Sequence, residues 1–302
     1  MDQPLLQIRN VSKFYTDKTA LKNISIDIPK GSIYGLLGPN GAGKTSLIRI
    51  INQITQADEG DVLLNGEKLS LSHIRHIGYL PEERGLYKKI RVMKQLEYFA
   101  RLRGLSYLEA NEKATWWLKK MGLFDVKNKK VEELSKGMQQ KIQFIVSAIH
   151  SPGLLILDEP FSGFDPVNAE LLTEVILELK QKGTTIIFST HRMESVEKLC
   201  DYMALIHLSE KIIDGKVSDI RRSYSSDRFE LVTEKAVNFG PGINSLESDV
   251  DEYGHFRYRL ALGSVTPNEC IGYVMQQSGL ISFNRFIPSI HDIFIQLVTK
   301  QN

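Results

Sequence analysis

The stretch from Gly38 to Thr45 carries residue types that bind anions. It reads Gly-Pro-Asn-Gly-Ala-Gly-Lys-Thr, and it fits a phosphate-binding loop in which a Lys-Thr pair follows the second of two spaced glycines. Apolar residues 33–37 precede it, and a helical pattern begins at Ser46. Backbone N–H groups in such a loop, with the positive end of the next helix, point at a phosphate. The stretch therefore predicts a nucleoside triphosphate site, and its context disfavours an ordinary glycine-rich turn.

Lys44 and Thr45 supply chemistry that the glycines lack. The ammonium group of Lys44 is predicted to contact the β- and γ-phosphates, and the hydroxyl of Thr45 to hold Mg²⁺. The nucleotide-binding residues predicted in this stretch are Gly38, Pro39, Asn40, Gly41, Ala42, Gly43, Lys44, Thr45 and Ser46. Tyr15 precedes the loop on a predicted strand, where its ring could stack on a base. A surface tyrosine at a strand end is the alternative, and the residues alone favour it.

A second group of candidate residues ends an apolar run in the second half of the chain. Residues 154–157 are all Leu or Ile, and Asp158 and Glu159 follow them. Such a run is typical of a strand buried on both faces of a parallel sheet. Asp158 is predicted to hold the same Mg²⁺ as Thr45, and Glu159 to orient or deprotonate an attacking water. A capped strand end without chemistry is the alternative, which the phosphate-binding loop disfavours.

The surrounding elements predict an α/β protein with a P-loop NTPase core and a mainly parallel sheet. Residues 5–9 are β-like and residues 20–28 alternate apolar and polar types, which indicates an antiparallel β subdomain. Helical spacing from about 88 to 150 predicts an α-helical insertion, in which Trp116 and Trp117 are expected to be core anchors. Further strands are predicted at 62–64, 77–80, 154–157 and 184–189, a hairpin at 203–208 and 211–214, and helices at 92–102, 110–121, 138–150, 166–182 and 193–200.

The end of the chain predicts a small second domain. Residues 221–227 are polar and are interpreted as a linker. Strands are predicted at 229–232, 256–260 and 283–286 and helices at 267–278 and 290–297, which together make a C-terminal α+β domain. The predicted domains are therefore residues 1–222, which contain the nucleoside triphosphate site, and residues 227–302, in which no catalytic constellation is found.

Composition narrows the classes of partner. The chain has 302 residues and a net charge of +2, and residues 227–302 hold six Lys and Arg against nine Asp and Glu. This balance gives no electrostatic case for a nucleic-acid partner. Cys200 and Cys270 lack metal-type spacing, which fits a reduced, cytoplasmic setting. Neither a secretory signal nor an apolar run long enough for a bilayer is found, so any membrane part is expected on another chain.

The segment Leu134-Ser135-Lys136-Gly137-Met138-Gln139-Gln140-Lys141 resembles the signature motif of the ATP-binding-cassette (ABC) family. It stands at a predicted helix start, where a hydroxyl, a glycine and a helix N-terminus face an anion. In that family the anion is the γ-phosphate of ATP held by the other subunit. The resemblance therefore implies that Ser135, Gly137 and Gln139 bind ATP across a dimer, and that the ligands are ATP and Mg²⁺.

Other positions fit the same resemblance, which covers about residues 5–220. His191 resembles the switch histidine that contacts the γ-phosphate, and Tyr15 takes the place of the adenine-stacking residue. Residues 162–165 resemble the loop that crosses the dimer interface, with Phe164 where Leu is usual. Glu82 stands where the family usually has Gln, and it can still ligate Mg²⁺ while adding negative charge. The segment around Glu82 and the C-terminal domain resemble exporter ATPases of the sodium- and drug-efflux subgroup.

The resemblance implies the ATP-hydrolysing subunit of an ABC exporter. A second ATPase subunit, an identical chain in the simplest case, and a separate multi-span membrane subunit are the expected partners, at the cytoplasmic face of the inner or plasma membrane. A soluble ABC ATPase acting on ribosomes or DNA is the alternative, and a single cassette without a heptad run disfavours it. The combination of Lys44, Asp158, Glu159 and His191 disfavours a module that binds nucleotide without hydrolysis. The sequence does not name the cargo.

Overall fold

The computed structural model describes residues 3–83, 85–225 and 228–299. They form two compact units that divide between Val217 and Ser218. Across these residues no helix combines the length and the apolar composition that a bilayer span requires.

The first unit contains two sheets and an α-helical insertion. Its strands are β1 (Leu6–Tyr15), β2 (Lys18–Ile28), β3 (Ile33–Leu37), β4 (Glu59–Leu64), β5 (Glu67–Lys68), β6 (Ile77–Leu80), β7 (Leu154–Asp158), β8 (Thr185–Thr190), β9 (Tyr202–His207) and β10 (Glu210–Lys216). Its helices are α1 (Lys44–Ile51), α2 (Val92–Leu102), α3 (Tyr107–Lys120), α4 (Lys136–Ala148), α5 (Pro166–Gln181) and α6 (Met193–Leu199).

The larger sheet has the order β10-β9-β3-β8-β7-β6. All its pairings are parallel except that of β10 with β9. Every residue of β3, β7 and β8 is buried, as expected for strands covered on both faces. The register places Leu37 opposite Thr190, and Asp158 opposite Ser189. The carboxyl ends of these three strands therefore meet at one edge of the sheet, where α/β folds bind ligands.

The smaller sheet is antiparallel, with the order β2-β1-β4-β5. Its apolar face packs onto α1 and the parallel sheet in one core that includes Leu21, Ile24, Leu47 and Ile187. The hairpin turn between β1 and β2 pairs Tyr15 with Lys18. The predicted antiparallel subdomain is therefore present, and its hairpin carries Tyr15.

The helical insertion corrects one prediction. Trp117 is buried and packs edge-on against Phe144, but Trp116 is 46% exposed and contacts the ammonium groups of Lys120 and Lys182. The prediction of two core anchors was therefore wrong for Trp116. Adjacent residues of a helix point about 100° apart, so the two rings cannot both face the core.

The second unit holds a four-stranded antiparallel sheet of order β12-β13-β11-β14. The strands are β11 (Arg228–Thr233), β12 (Ile243–Val250), β13 (Phe256–Leu262) and β14 (Leu280–Arg285), and the helices are α8 (Pro267–Met275) and α9 (Ile290–Thr299). The apolar face of the sheet packs against α8 through Leu231, Leu260 and Val274. This unit is the small α+β module that the sequence predicts.

The sequence missed β12 and misplaced both the start of the linker and the end of one helix. Seven of the eight residues of β12 are exposed, because it is an edge strand with almost no apolar pattern. Residues 221–223, interpreted as linker, belong to a helix, α7 (Val217–Ser223). Residues 226 and 227 of that predicted linker lie outside the described part of the chain. The helix predicted to reach residue 278 ends at Met275.

Candidate nucleotide-binding site

A cleft of about 400 Å³ opens at the carboxyl edge of the parallel sheet. The loop after β3, the end of β7 and the β1–β2 hairpin form its walls. Its lining residues are Tyr15, Lys18, Ala20, Asn40, Gly41, Gly43, Lys44, Thr45, Ser46, Glu82, Asp158 and Glu159. Residues that are distant in the sequence therefore share one cavity.

The glycines of the loop after β3 are required by the chain's own backbone. Gly38, Gly41 and Gly43 have φ angles of 152°, 79° and 115°, which L side chains rarely adopt. A Cβ on Gly43 would collide with the carbonyl of Ala20, and one on Gly38 with the carbonyl of Ile206. The loop therefore turns its backbone into the cleft directly ahead of α1, as phosphate binding at a helix N-terminus requires. Gly38, Pro39 and Ala42 shape this loop without lining the cleft.

Lys44 lies in the first turn of α1 and is buried, at 6% exposure. Its Nζ donates hydrogen bonds to the carbonyls of Gly38, at 2.6 Å, and Pro39, at 3.1 Å. Burial lowers the pKa of Lys44, and the carboxylates of Glu159, Asp158 and Glu82 oppose that effect. The ammonium group is thus held inside the loop, among acidic groups, at a point where an entering phosphate can reach it.

Asp158 ends β7 and is 3% exposed. Burial raises the pKa of its carboxyl, and the charges of Glu82 and Glu159 raise that pKa further. The charge of Lys44 lowers it in part. The cleft holds three carboxylates and the two ammonium groups of Lys44 and Lys18. A triphosphate adds negative charge to this balance, so a bound divalent cation would fit the site electrostatically.

The donor set for such a cation is incomplete without the nucleotide. Thr45, Glu82 and Asp158 line the same cleft, and hydroxyl and carboxylate oxygens are the ligands that Mg²⁺ prefers. Among the described residues, no group of three or more His, Cys, Asp or Glu side chains is arranged to hold a metal ion. The arrangement fits a Mg²⁺ ion that completes its coordination with phosphate oxygens and water.

Glu159 has a constrained backbone and a fully engaged side chain. Its φ is 47°, a left-handed conformation that costs a non-glycine residue about 1–3 kcal/mol. Its Oε2 accepts a hydrogen bond from Thr190 Oγ1 at 3.1 Å. Its Oε1 accepts one from the backbone N–H of His191 at 2.9 Å and lies 2.7 Å from Nδ1 of that ring. The residues after β7 and β8 therefore meet, and His191 is joined to the cleft through Glu159.

The β1–β2 hairpin presents one aromatic ring and one cation to the cleft. Tyr15 is 45% exposed, and Nζ of Lys13 lies 5.5 Å from the centroid of the Tyr15 ring. The same Nζ donates a hydrogen bond to Oδ1 of Asp58 at 2.8 Å. Lys18 Nζ donates to the carbonyl of Gly41 at 3.2 Å. No sequence pattern pointed to Lys18, because an exposed lysine in a turn is common and only the fold brings it to the loop after β3.

The signature residues lie outside this cleft. Ser135 is the exposed N-cap of α4, and its hydroxyl accepts a hydrogen bond from the N–H of Met138 at 3.3 Å. A Cβ built on Gly137 would meet Asn168 Nδ2 at 4.0 Å and nothing nearer beyond its own turn of helix. Gln139 donates to the carbonyls of Val131 and Leu134 within its own segment. The structure does not bring Ser135, Gly137 or Gln139 to the nucleotide cleft of the same chain.

The parallel sheet, the glycine loop ahead of α1 and the acidic end of β7 define a P-loop NTPase. The ABC transporter family model matches residues 21–162, and a model described as the C-terminal domain of DrrA1-3-like ATP-binding proteins matches residues 215–298.

Three known proteins show how far the similarity extends. The uncharacterized ABC transporter ATP-binding protein YhaQ of Bacillus subtilis strain 168 is 41% identical over 298 residues, covering 97% of this chain and 98% of YhaQ. The linearmycin resistance ATP-binding protein LnrL of the same strain is 34% identical over 78% of this chain and 76% of its own length. A solved ATP-binding subunit of an ABC transporter superposes with a TM-score of 0.68 and 31% identity, over 73% of this chain and 93% of that one.

The chain therefore belongs to the family of ABC transporter ATP-binding proteins. It is an ATPase subunit that powers transport, and the similarity does not support the alternative of a soluble ABC ATPase acting on ribosomes or DNA. Membership implies that it binds ATP, pairs with a second ATPase subunit and works with a membrane component of a transporter.

Proposed function

We propose that two copies of this chain close over two ATP molecules and drive export through a membrane protein made as a separate chain. The observation that carries this proposal is the separation of the two halves of the site. Lys44, Asp158 and Glu159 share one cleft, whereas Ser135 and Gly137 lie outside it at an exposed helix start. A second copy that presents its own α4 to this cleft would complete the site.

Binding of ATP follows from the loop and the hairpin. The backbone of residues 38–43, the N-terminus of α1 and Lys44 hold the phosphates, and entry of the phosphates replaces the carbonyl partners of Lys44. Tyr15 stacks on adenine, and Lys18 adds a second cation beside Gly41. Thr45 and Asp158, with Glu82 beside them, would hold Mg²⁺, whose charge would offset that of the phosphates.

Hydrolysis depends on Glu159 and His191. The carboxylate of Glu159 orients a water and accepts its proton as the water oxygen attacks the γ-phosphorus and the bond to the bridging oxygen of ADP breaks. His191 Nδ1 lies 2.7 Å from that carboxylate in the single chain, and in the closed dimer the His191 ring would turn to the γ-phosphate. Closure thus assembles the catalytic groups only after ATP has been bound by both copies.

Export, as opposed to uptake, is proposed from two similarities. The relative LnrL is named for resistance to linearmycin, and residues 215–298 match the C-terminal domain of DrrA1-3-like ATP-binding proteins. The site of action is then the cytoplasmic face of the inner or plasma membrane, reached through the membrane subunit.

The dependence of ATPase activity on protein concentration tests the proposal. If each site needs two chains, activity per chain rises with concentration and reaches a plateau once the dimer is formed. Activity per chain that stays constant from well below to well above the measured dimer dissociation constant would contradict the shared site. Co-purification of a multi-span membrane protein, whose presence raises the ATPase rate, tests the transport partner, and a stable complex with ribosomes in its place would contradict it.

A further inference from the structure

We infer that Gln143 is a positioning residue for Glu82, and that it couples the helix which begins at Ser135 to the chain's own nucleotide cleft. The inference rests on the proposed role of Glu82 beside the bound nucleotide. It concerns a residue outside the loop after β3, outside the signature segment and outside the acidic end of β7.

The contacts of Gln143 bracket Glu82. The Gln143 side chain is 6% exposed, and its Nε2 donates to the carbonyl of Pro81 at 3.1 Å and to the carbonyl of Glu83 at 2.9 Å. These carbonyls belong to the residues immediately before and after Glu82. One amide group therefore uses both of its N–H donors to fix the backbone on each side of a single acidic residue.

The fixed backbone aims Glu82 into the cleft. Glu82 is exposed and lines the same cavity as Lys44 and Asp158. Its charge is close enough to raise the pKa of both groups. Because a short carboxylate side chain can reach only as far as its backbone allows, the position of residues 81–83 determines whether Glu82 reaches the bound cation.

A buried glutamine in this place needs a specific reason. Burying a polar amide without partners is unfavourable, so a fully apolar helix face would be the simpler solution. Here the amide donates to two backbone carbonyls that lie beyond the end of β6 and outside its ladder of hydrogen bonds. The Gln143 amide thus holds the backbone of residues 81–83, which carries Glu82.

The same helix links the two halves of the site. Gln143 lies on α4, eight residues after Ser135, or about 12 Å along the helix axis. A packed helix moves as a rigid element. Any shift that ATP of the partner copy imposes on Ser135 is therefore carried to residues 81–83, and from there to Glu82 in the cleft of the same chain.

A second buried glutamine holds the far end of the segment. Gln95 of α2 is fully buried, and its Oε1 accepts a hydrogen bond from the N–H of Tyr87 at 2.8 Å. Two helices of the insertion therefore hold the segment that follows β6, one at each end.

Gln143→Met tests the inference, because methionine keeps the volume and loses both donors. Its kcat is expected to fall about tenfold with an unchanged KM for ATP, as for loss of an interaction made in the transition state. Amide hydrogen exchange of the peptide that contains Glu82 and Glu83 is expected to rise. The kcat is calculated per molecule that binds a fluorescent ATP analogue, so that unfolded protein does not lower the measured value.

Ser147→Ala is the matched control. Ser147 lies one turn further along the same face of α4, is equally buried and donates to the carbonyl of Phe144 in its own helix at 2.7 Å. This variant is expected to keep wild-type kcat and hydrogen exchange. An equal loss in both variants would show a packing effect of α4 and overturn the positioning role.

A double variant shows whether Gln143 affects kcat through Glu82 or through other contacts. In the Glu82→Ala variant, the additional change Gln143→Met is expected to lower kcat by less than about twofold, because the side chain that Gln143 positions has been removed. A tenfold loss on that background, or wild-type kcat for Gln143→Met alone, would overturn the inference. Inactive wild-type protein at every concentration would instead contradict the proposed function, so the two failures are distinguishable.

Discussion

The first unit contains two helix N-termini of similar composition, at α1 and at α4, and they differ in what surrounds them. Lys44 and Thr45 open α1 inside a cleft that also holds Asp158 and Glu159. Ser135 precedes α4 at the surface, and its hydroxyl caps its own helix. Both ends offer N–H groups to an anion, but only the first brings side chains for binding and hydrolysis.

The glycines at the two helix starts make the same distinction. Gly43 is required by its own chain, since its φ is 115° and a Cβ there would meet the carbonyl of Ala20. Gly137 has an ordinary helical place and open space where a side chain would go. Where neither the φ angle nor neighbouring atoms require glycine, the close approach of another molecule to the backbone can explain its presence. The first helix start is thus required by this chain's own backbone, and the second fits the proposed approach of a partner.

The largest effect is expected from Glu159→Gln, which tests the α1 side of the comparison. Amides do not accept a proton from water, so kcat is expected to fall about a thousandfold while ATP binding persists. ATP that cannot be cleaved should also retain the dimer, which size-exclusion chromatography with ATP would measure. Glu174→Gln, an exposed acid of α5, is the control. Normal turnover by Glu159→Gln would remove Glu159 from the catalytic role.

The next effect is expected from Ser135→Arg on the α4 side. A long charged side chain at this helix start would block the approach of a second cleft, so kcat is expected to fall about a hundredfold. Binding of ATP to the isolated chain, measured by equilibrium titration, should stay unchanged.

Ser106→Arg is the matched control, because Ser106 also caps a helix of the insertion and accepts a hydrogen bond from Glu109. Both substitutions lose a cap worth about 1 kcal/mol. Full ATPase activity of Ser135→Arg, or the same loss in Ser106→Arg, would contradict a site shared between chains.

A pair of alanine substitutions tests the glycines by stability and not by activity. Gly43→Ala is expected to lower the free energy of unfolding by about 2 kcal/mol, through backbone strain and the collision with Ala20. Gly137→Ala is expected to raise it by about 0.5 kcal/mol, because alanine favours helix. Urea unfolding of the nucleotide-free protein measures both. Equal destabilisation by the two changes would remove the distinction between the helix starts.

The smallest effect is expected from Lys18→Ala. Loss of this cation is expected to raise the KM for ATP about fivefold at low salt. The kcat should change little, because Lys18 is expected to bind the phosphates equally well in the ground state and in the transition state. The difference should shrink as salt screens the exposed charge. Lys22→Ala is the control, because Lys22 lies on the same strand and pairs with Glu210 at 2.6 Å, away from the cleft. An unchanged KM for Lys18→Ala would exclude it from the site.

The sequence was sufficient where chemistry lies in short runs. The glycine loop, Asp158 and Glu159 are read from local spacing, and the parallel order of β3, β8 and β7 brings them to one edge of the sheet. The fold class and the membership in the ABC family are confirmed. The roles assigned to individual residues stay predictions.

What the sequence could not supply depends on contacts between distant segments. Lys18 reaches Gly41 because a hairpin folds over the loop, and Gln143 reaches residues 81–83 because α4 packs beside β6. Neither contact leaves a periodic pattern. Edge strand β12 was missed for a related reason, since a solvated strand carries too few apolar residues to show alternation.

The engaged side chain of Glu159 has a consequence for the cell's supply of ATP. In the single chain, Thr190 and the backbone of His191 donate to both of its oxygens. These bonds hold the carboxylate against Thr190 and His191, so it is not free to turn with a water until the dimer closes, and a subunit made before its partners arrive should waste little ATP. We expect turnover by dilute, unpaired chains to be far below that of the assembled transporter, and a high rate in dilute protein would contradict this safeguard.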